Sequence, residues 1–149
     1  MSAALRDGTG TANDVVQARS VAGIARRGAL FFIARRKADT TEMSLRWEFP
    51  GGKVEVGETD EGALEREFNE EFMAPIKVLH FWGESVFVHR GKSRALAAWE
   101  IELEPDSIGA LEEHSEAAWM PFELIAELDL ADSDKSLLPI IEAHLRAQN

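Results

Sequence analysis

The chain has 149 residues, 27 acidic and 16 basic side chains, a formal net charge of −11 and 45 % apolar residues. Length and apolar content suit one compact domain and exclude a disordered chain, and the acidic balance disfavours binding to nucleic-acid polymers. With no cysteine, disulfides, thiolate nucleophiles and cysteine-ligated zinc are excluded; with no apolar stretch long enough to span a bilayer, the expectation is a cytoplasmic protein without a membrane partner, monomeric or homodimeric.

Residues 1–14 (MSAALRDGTGTAND) are small and polar without an apolar period and read as a loose leader, leaving residues 15–149 as the domain. Val21–Arg26 and Ala29–Arg35 are short apolar segments around Arg27-Gly28, the pattern of a hairpin. After a polar connection over Lys37–Leu45, Trp47–Phe49 reads as a brief strand stopped by Pro50-Gly51-Gly52. A helix is predicted from Thr59 to Phe72: Thr59 can cap it, and Asp60 and Glu61 suit the positive end of its dipole. Strands are predicted at Ile76–Trp82, Ser85–His89, Ser93–Leu103 and Ala117–Met120, with Arg90-Gly91-Lys92 as a tight turn. Pro121 would open a helix through Leu128, and Ser133–Ala147 a last one, with Pro139 in conflict with its first turn. Strands and helices mix without strict alternation, so the fold class is α/β or α+β: a mixed β-sheet sandwiched between helices in a single domain.

The charge is concentrated. Between residues 52 and 74 eight acids face only Lys53 and Arg66. Glu67, Glu70 and Glu71 stand at i, i+3 and i+4, hence on one side of the predicted helix, flanking a stripe of Leu64, Phe68 and Phe72. A solvated acidic face would explain such a run. Yet like charges at these spacings repel, nothing basic at i±4 relieves Glu67 or Glu71, and Arg66 points to another side. A divalent cation would remove the repulsion, and all-oxygen ligation suits Mg²⁺, with Mn²⁺ as a substitute. The preceding loop, Trp47-Glu48-Phe49-Pro50-Gly51-Gly52-Lys53, holds adjacent glycines that allow a tight turn or close backbone approach to a ligand.

Loop and helix together resemble the Nudix box of the Nudix hydrolase family. The matching positions are Gly52, Glu58, Arg66-Glu67, Phe68, Glu70-Glu71, Met73 and Ala74. Every charged position matches in spacing. Phe68 is bulkier than the usual aliphatic residue, Ala74 is small, and Met73 replaces a helix-ending glycine at a steric cost, so the helix is expected to end differently, redirected by Pro75. The flanking Trp-Glu-Phe-Pro-Gly-Gly-Lys and the Arg35-Arg36 pair are most similar to the MutT-type nucleoside triphosphate pyrophosphohydrolases. That resemblance implies cleavage of a nucleoside triphosphate to monophosphate and pyrophosphate by a metal-activated water.

The same resemblance implies roles. Glu67, Glu70 and Glu71 would be metal ligands, with Glu67 as proton acceptor or ligand, joined by the Gly51 carbonyl. Glu58 and Arg66 would brace loop against helix, and Glu113 would add a carboxylate, with Glu112 or Glu116 as alternatives. Arg36, with Arg35 or Lys53 as substitutes, would neutralise phosphate charge. Asp134 resembles a base-reading residue; ionised, it only accepts hydrogen bonds and would suit cytosine N4 or the guanine N1/N2 edge. Phe49 could stack on a base. His80, His89, His114 and His144 are scattered without zinc-type spacing and read as structural or surface residues. Oxidised guanine nucleotides and a cytidine nucleotide both remain open as substrates. Another diphosphate-linked nucleotide, such as a nucleotide sugar or ADP-ribose, is an alternative, and a non-catalytic binding module would carry a damaged box.

Overall fold

The structure is a computed structural model and describes residues 18–148; the expected leader, 1–14, lies outside them. Its elements are β1 (Ala18–Arg27), β2 (Leu30–Arg36), β3 (Trp47–Glu48), β4 (Gly51–Lys53), α1 (Asp60–Phe72), β5 (Lys77–His89), β6 (Lys92–Glu102), β7 (His114–Pro121), α2 (Phe122–Ile125), α3 (Asp132–Lys135) and α4 (Leu138–Ala147). The strands form a seven-stranded mixed sheet in the order β3-β2-β1-β6-β5, with β4 on β1 and β7 on β2. Among the described strands β1 and β6 pair in parallel, from Ala18↔Arg94 to Ala25↔Ile101, and Trp47 of β3 makes an isolated parallel bridge to Leu130.

Alternation along the central strands builds two cores. Val21, Ala25, Phe32 and Ala34 face the Leu64, Phe68 and Phe72 stripe of α1, whereas Ala22, Ile24, Phe31 and Ile33 face Ile125, Leu137 and Ile141 of the C-terminal helical region. Helices therefore cover both faces, as the composition predicts for a sheet apolar on both sides. Among the described residues no helix is long and apolar enough to cross a membrane.

The β1–β2 hairpin turns at Gly28, at φ 61°, and is paired only at Arg26↔Phe31 and Arg27↔Leu30. Beyond that the strands part: β1 takes β4 as its partner, and β2 takes β3 and β7. The wedge so opened receives the Trp47–Lys53 segment, held by Gly23 N–H donating to the Pro50 carbonyl at 2.8 Å.

Four expectations about elements are corrected. Ile76–Trp82 and Ser85–His89 are one strand, β5, because bulges between Val78 and His80 and between Phe81 and Gly83 carry it through its glycine. The strand expected at Ala117–Met120 begins at His114, continued by pairing with Arg36. Pro121 precedes the short α2 instead of opening a helix to Leu128. The last helix is broken: α3 ends at Lys135, and α4 restarts at Leu138 with Pro139 in its first turn, where a proline costs no hydrogen bond. The Arg90-Gly91 turn is as expected, with φ 53° and 78°.

Candidate active site

Helix α1 begins where the sequence places it. The Thr59 hydroxyl accepts from Gly62 N–H, and Asp60 in the first turn accepts from Arg19 Nε and Nη2 at 2.8 and 2.7 Å and from Trp99 Nε1 at 2.9 Å. Arg19 holds the Asp60 carboxyl below the usual range, with Trp99 adding to it, and the pair pins α1 to the sheet.

The helix does not end differently for lack of glycine. Met73 itself takes the left-handed conformation (φ 51°, ψ 39°), and its N–H and that of Ala74 close on the Asn69 and Phe68 carbonyls. The side chain is 60 % exposed, so only backbone strain is left to bear. The next loop completes the helix end: Gly109 and Ala110 N–H donate to the Phe72 carbonyl and Glu112 N–H to that of Glu71. These bonds set Glu113 beside α1.

Arg66 does not point away from the carboxylates. Its Nε and Nη2 grip Glu58 at 2.7 and 2.9 Å, Nη2 also donates to the Lys53 carbonyl at 2.9 Å, and Nη1 lies 3.3 Å from both Glu67 and Glu70. This fork holds Glu58 down to about pKa 2 and ties the loop to the helix. The i, i+4 contact with Glu70 follows from helical spacing, whereas those with Glu58 and the adjacent Glu67 are made by the reach of the long Arg66 side chain.

The two glycines have separate reasons. A Cβ on Gly51 would overlap the Val21 carbonyl across the β1–β4 ladder, and one on Gly52 would overlap the Glu67 carboxylate. The carboxylate thus occupies the space that a side chain at position 52 would fill.

A cleft of about 420 Å³ lies over this helix and brings together Arg36, Gly51, Gly52, Glu67, Glu70 and Glu71 with Glu113, Phe49 and Asp134. Of the three acids near its far wall only Glu113 lines it; Glu116 pairs with Arg35 at 3.4 Å, and the Glu112 carbonyl accepts from Lys37. Arg35 and Lys53 stand outside the cleft lining, so of the three candidate cations for phosphate only Arg36 borders it. Phe49 is 3 % exposed with its ring in the apolar core, which corrects the idea of a free stacking face. Its N–H instead donates to Asp134 Oδ2 at 2.7 Å.

Burial, then Glu67 and the charges of Glu48 and Glu113, pushes Glu71 up to about 10, and burial raises Glu67 against the pull of Glu71 and Arg66. Burial and the nearby Glu48 also hold Asp134 well above the usual carboxylate range, where the sequence suggested an ionised acceptor. Without a cation the site is thus overcrowded with carboxyls. Glu71 Oε1 is buried with no hydrogen-bond partner, and the donors are all oxygens, so the residues fit a hard divalent cation.

Two neighbours escaped the sequence. Fully buried His114 has Nε2 2.7 Å from Glu48 and Nδ1, unpartnered, 3.9 Å from Glu71 Oε1; Glu48 also pairs with Arg36 at 3.5 Å. Glu48, Glu71 and His114 each offer a ligand atom within 4.8 Å of the others. The available sign was alternation: Trp47 and Phe49 face one core, which turns Glu48 to the other face, that of α1.

Sheet, helices and acidic cleft define a mixed-sheet α/β domain with a carboxylate-lined cleft beside its glycine strand. The NUDIX domain model matches residues 16–140. The chain is 35 % identical over 131 residues to a CTP pyrophosphohydrolase of Escherichia coli (strain K12), covering 84 % of this chain and 89 % of that one. It is 31 % identical over 121 residues to a putative 8-oxo-dGTP diphosphatase 2 of Mycobacterium tuberculosis (strain ATCC 25618 / H37Rv), covering 77 % and 81 %. Among solved structures, the E. coli ORF135 protein superposes with a TM-score of 0.73 at 32 % identity, covering 89 % of this chain and 92 % of that one. The chain belongs to the NUDIX family, and it is a Nudix hydrolase.

Proposed function

We propose that the protein hydrolyses a nucleoside triphosphate to the monophosphate and pyrophosphate with Mg²⁺, Mn²⁺ being able to substitute. The observation that carries this reading is the unpartnered, buried Glu71 Oε1 among Glu67 and Glu70, above a glycine strand and opposite Arg36. Glu67, Glu70, Glu71, Glu113 and the Gly51 carbonyl would hold the ion, which when bound supplies Lewis-acid polarisation and charge neutralisation at the phosphates. Glu67, set in place by Gly52 and Arg66, accepts the proton of the attacking water. Arg36, whose Nε is buried without a partner, donates to a phosphate oxygen. Arg66 and Glu58 act on the reaction by fixing the carboxylates. Asp134, its carboxyl held by bonds from Phe49 N–H and the Ser133 hydroxyl and raised by burial, can donate as well as accept a hydrogen bond where a base would lie. Similarity to the CTP and 8-oxo-dGTP enzymes supports cytosine and guanine as the bases.

The test is product analysis with purified protein and Mg²⁺ on a panel of triphosphates, a nucleotide sugar and ADP-ribose, with Glu67→Gln in parallel. Pyrophosphate release from a triphosphate, reduced by about 10²-fold or more in the variant, is the expected result. Turnover of diphosphate-linked compounds alone, or metal-dependent binding without turnover, overturns it.

A further inference from the structure

Strand β7 enters the sheet through an irregularity. Its pairing with β2 runs from Leu30↔Pro121 to Arg35↔Glu116, skips Ser115 and ends at Arg36↔His114. By alternation from Ala117 and Trp119, which pack against the core under α1, Ser115 would take the next inward place. The bulge gives that place to His114, and Ser115 is exposed. The imidazole is fully buried and stacks on Phe72 of α1, with ring centroids 5.1 Å apart and 8° between the planes.

Turned inward, the ring stands between two carboxylates that serve different parts of the cleft. Nε2 lies 2.7 Å from Glu48 Oε2, and Arg36 Nη1 approaches the same oxygen at 3.5 Å. Glu48 is thus shared between imidazole and guanidinium, and the shorter contact is the imidazole's. Without the ring Glu48 would close on Arg36 and occupy the cation that a phosphate needs. On the other side Nδ1 faces Glu71 Oε1 at 3.9 Å, and neither atom has a hydrogen-bond partner among the described residues. A contraction of about 1 Å brings the two to hydrogen-bond distance through one shared proton. A carboxylate oxygen has two lone pairs, so Oε1 can meet the ring on one side and a cation on the other.

We propose that His114 is a positioning residue with two separable arms: through Nδ1 it orients Glu71 toward the divalent cation, and through Nε2 it holds Glu48 off Arg36, leaving that guanidinium to the phosphate. This rests on the metal-dependent reading above and deepens it. The arms can be taken apart by substitution. His114→Asn puts an amide nitrogen near the place of Nδ1, and His114→Gln puts one near the place of Nε2. His114→Phe keeps a ring to stack on Phe72 and supplies neither nitrogen.

The test compares wild type with these three variants, folding being checked by circular dichroism. Mn²⁺ binding is followed by electron paramagnetic resonance of the free ion, pyrophosphate binding by calorimetry at saturating Mg²⁺, and kcat and KM are measured on CTP and 8-oxo-dGTP. His114→Gln is expected to lose about 10-fold in Mn²⁺ affinity while keeping its affinity for pyrophosphate. His114→Asn is expected to do the reverse, with KM for a triphosphate rising about 10-fold, and His114→Phe to lose both. Adding Glu48→Gln to the asparagine variant is expected to restore pyrophosphate binding, since an uncharged side chain no longer competes for Arg36. Asparagine and glutamine variants that lose both affinities in equal measure, or keep both, overturn the proposal, as does a failed rescue by Glu48→Gln; this holds even where the phenylalanine variant does not fold. A wild type without Mn²⁺ affinity overturns it together with the metal-dependent reading. The crossed pattern of affinities, without pyrophosphate release from any triphosphate, would uphold His114 and overturn the catalytic reading alone.

Discussion

Met73 ends α1 in the left-handed region at φ 51°, where a side chain costs about 1–2 kcal/mol relative to glycine. Its Cβ also lies against Gly109, where an added Cβ would approach to 3.1 Å, so the two positions are fitted to each other. Met73→Gly is expected to stabilise the protein by about 1 kcal/mol, raising Tm by roughly 2–4 °C, as thermal unfolding followed by circular dichroism would register. At this scale the sequence was most legible where chemistry and spacing coincide. Glu67, Glu70 and Glu71 lie within little more than one turn of α1, and helical period alone sets which side they share. Glu48 and His114 were illegible because each meets its surroundings through strands paired across long separations.

Helix α1 is held to the sheet at one end by Arg19–Asp60–Trp99 and to the glycine strand by Arg66. Asp60, its pKa depressed chiefly by Arg19, contributes stability above the ordinary carboxylate range and loses it as pH falls through its lowered folded value. Asp60→Asn is therefore expected to cost about 1–2 kcal/mol near neutrality. Urea unfolding at a series of pH values should show the gap between variant and wild type closing as the solution is acidified; a gap independent of pH would show that packing, not charge, carries the contact. Termini of elements were the least readable part of the fold. Pro139 signalled a conflict in the last helix, but the break after Lys135 and the restart at Leu138 depend on how Leu137 and Ile141 bury against the sheet. The gap expected between Trp82 and Ser85 is likewise continuous strand, with the bulge at Trp82 and with Gly83 paired to Ala98 of β6.

Across the whole molecule, a mixed sheet between helices followed from composition and from apolar segments of two periods, whereas strand order did not. Nothing local states that β1 lies parallel to β6 or that it parts from β2 to admit the Trp47–Lys53 segment. That parting creates the cleft, because the glycine strand enters the wedge and carries α1 over it. The charge excess takes on a distributed meaning at this scale: some of the C-terminal acids are partners of Arg35 and Arg46, and Glu113 and Asp134 border the cleft.

The parallel β1–β6 ladder also governs how the molecule comes into being. Its strands are separated in sequence by β2, β3, β4, α1 and β5, so a long loop must close before any of its contacts reward the closure. Helix α1 and the β5–β6 hairpin, built from near neighbours, can form first; the ladder, and with it the wedge that seats Gly51, forms late. A cation bound by the finished cleft would then be absent from the folding transition state. In stopped-flow tryptophan fluorescence, Mg²⁺ is expected to slow unfolding several-fold while leaving the refolding rate unchanged, and faster refolding in its presence would mean that the carboxylate helix and its glycine strand assemble ahead of the ladder.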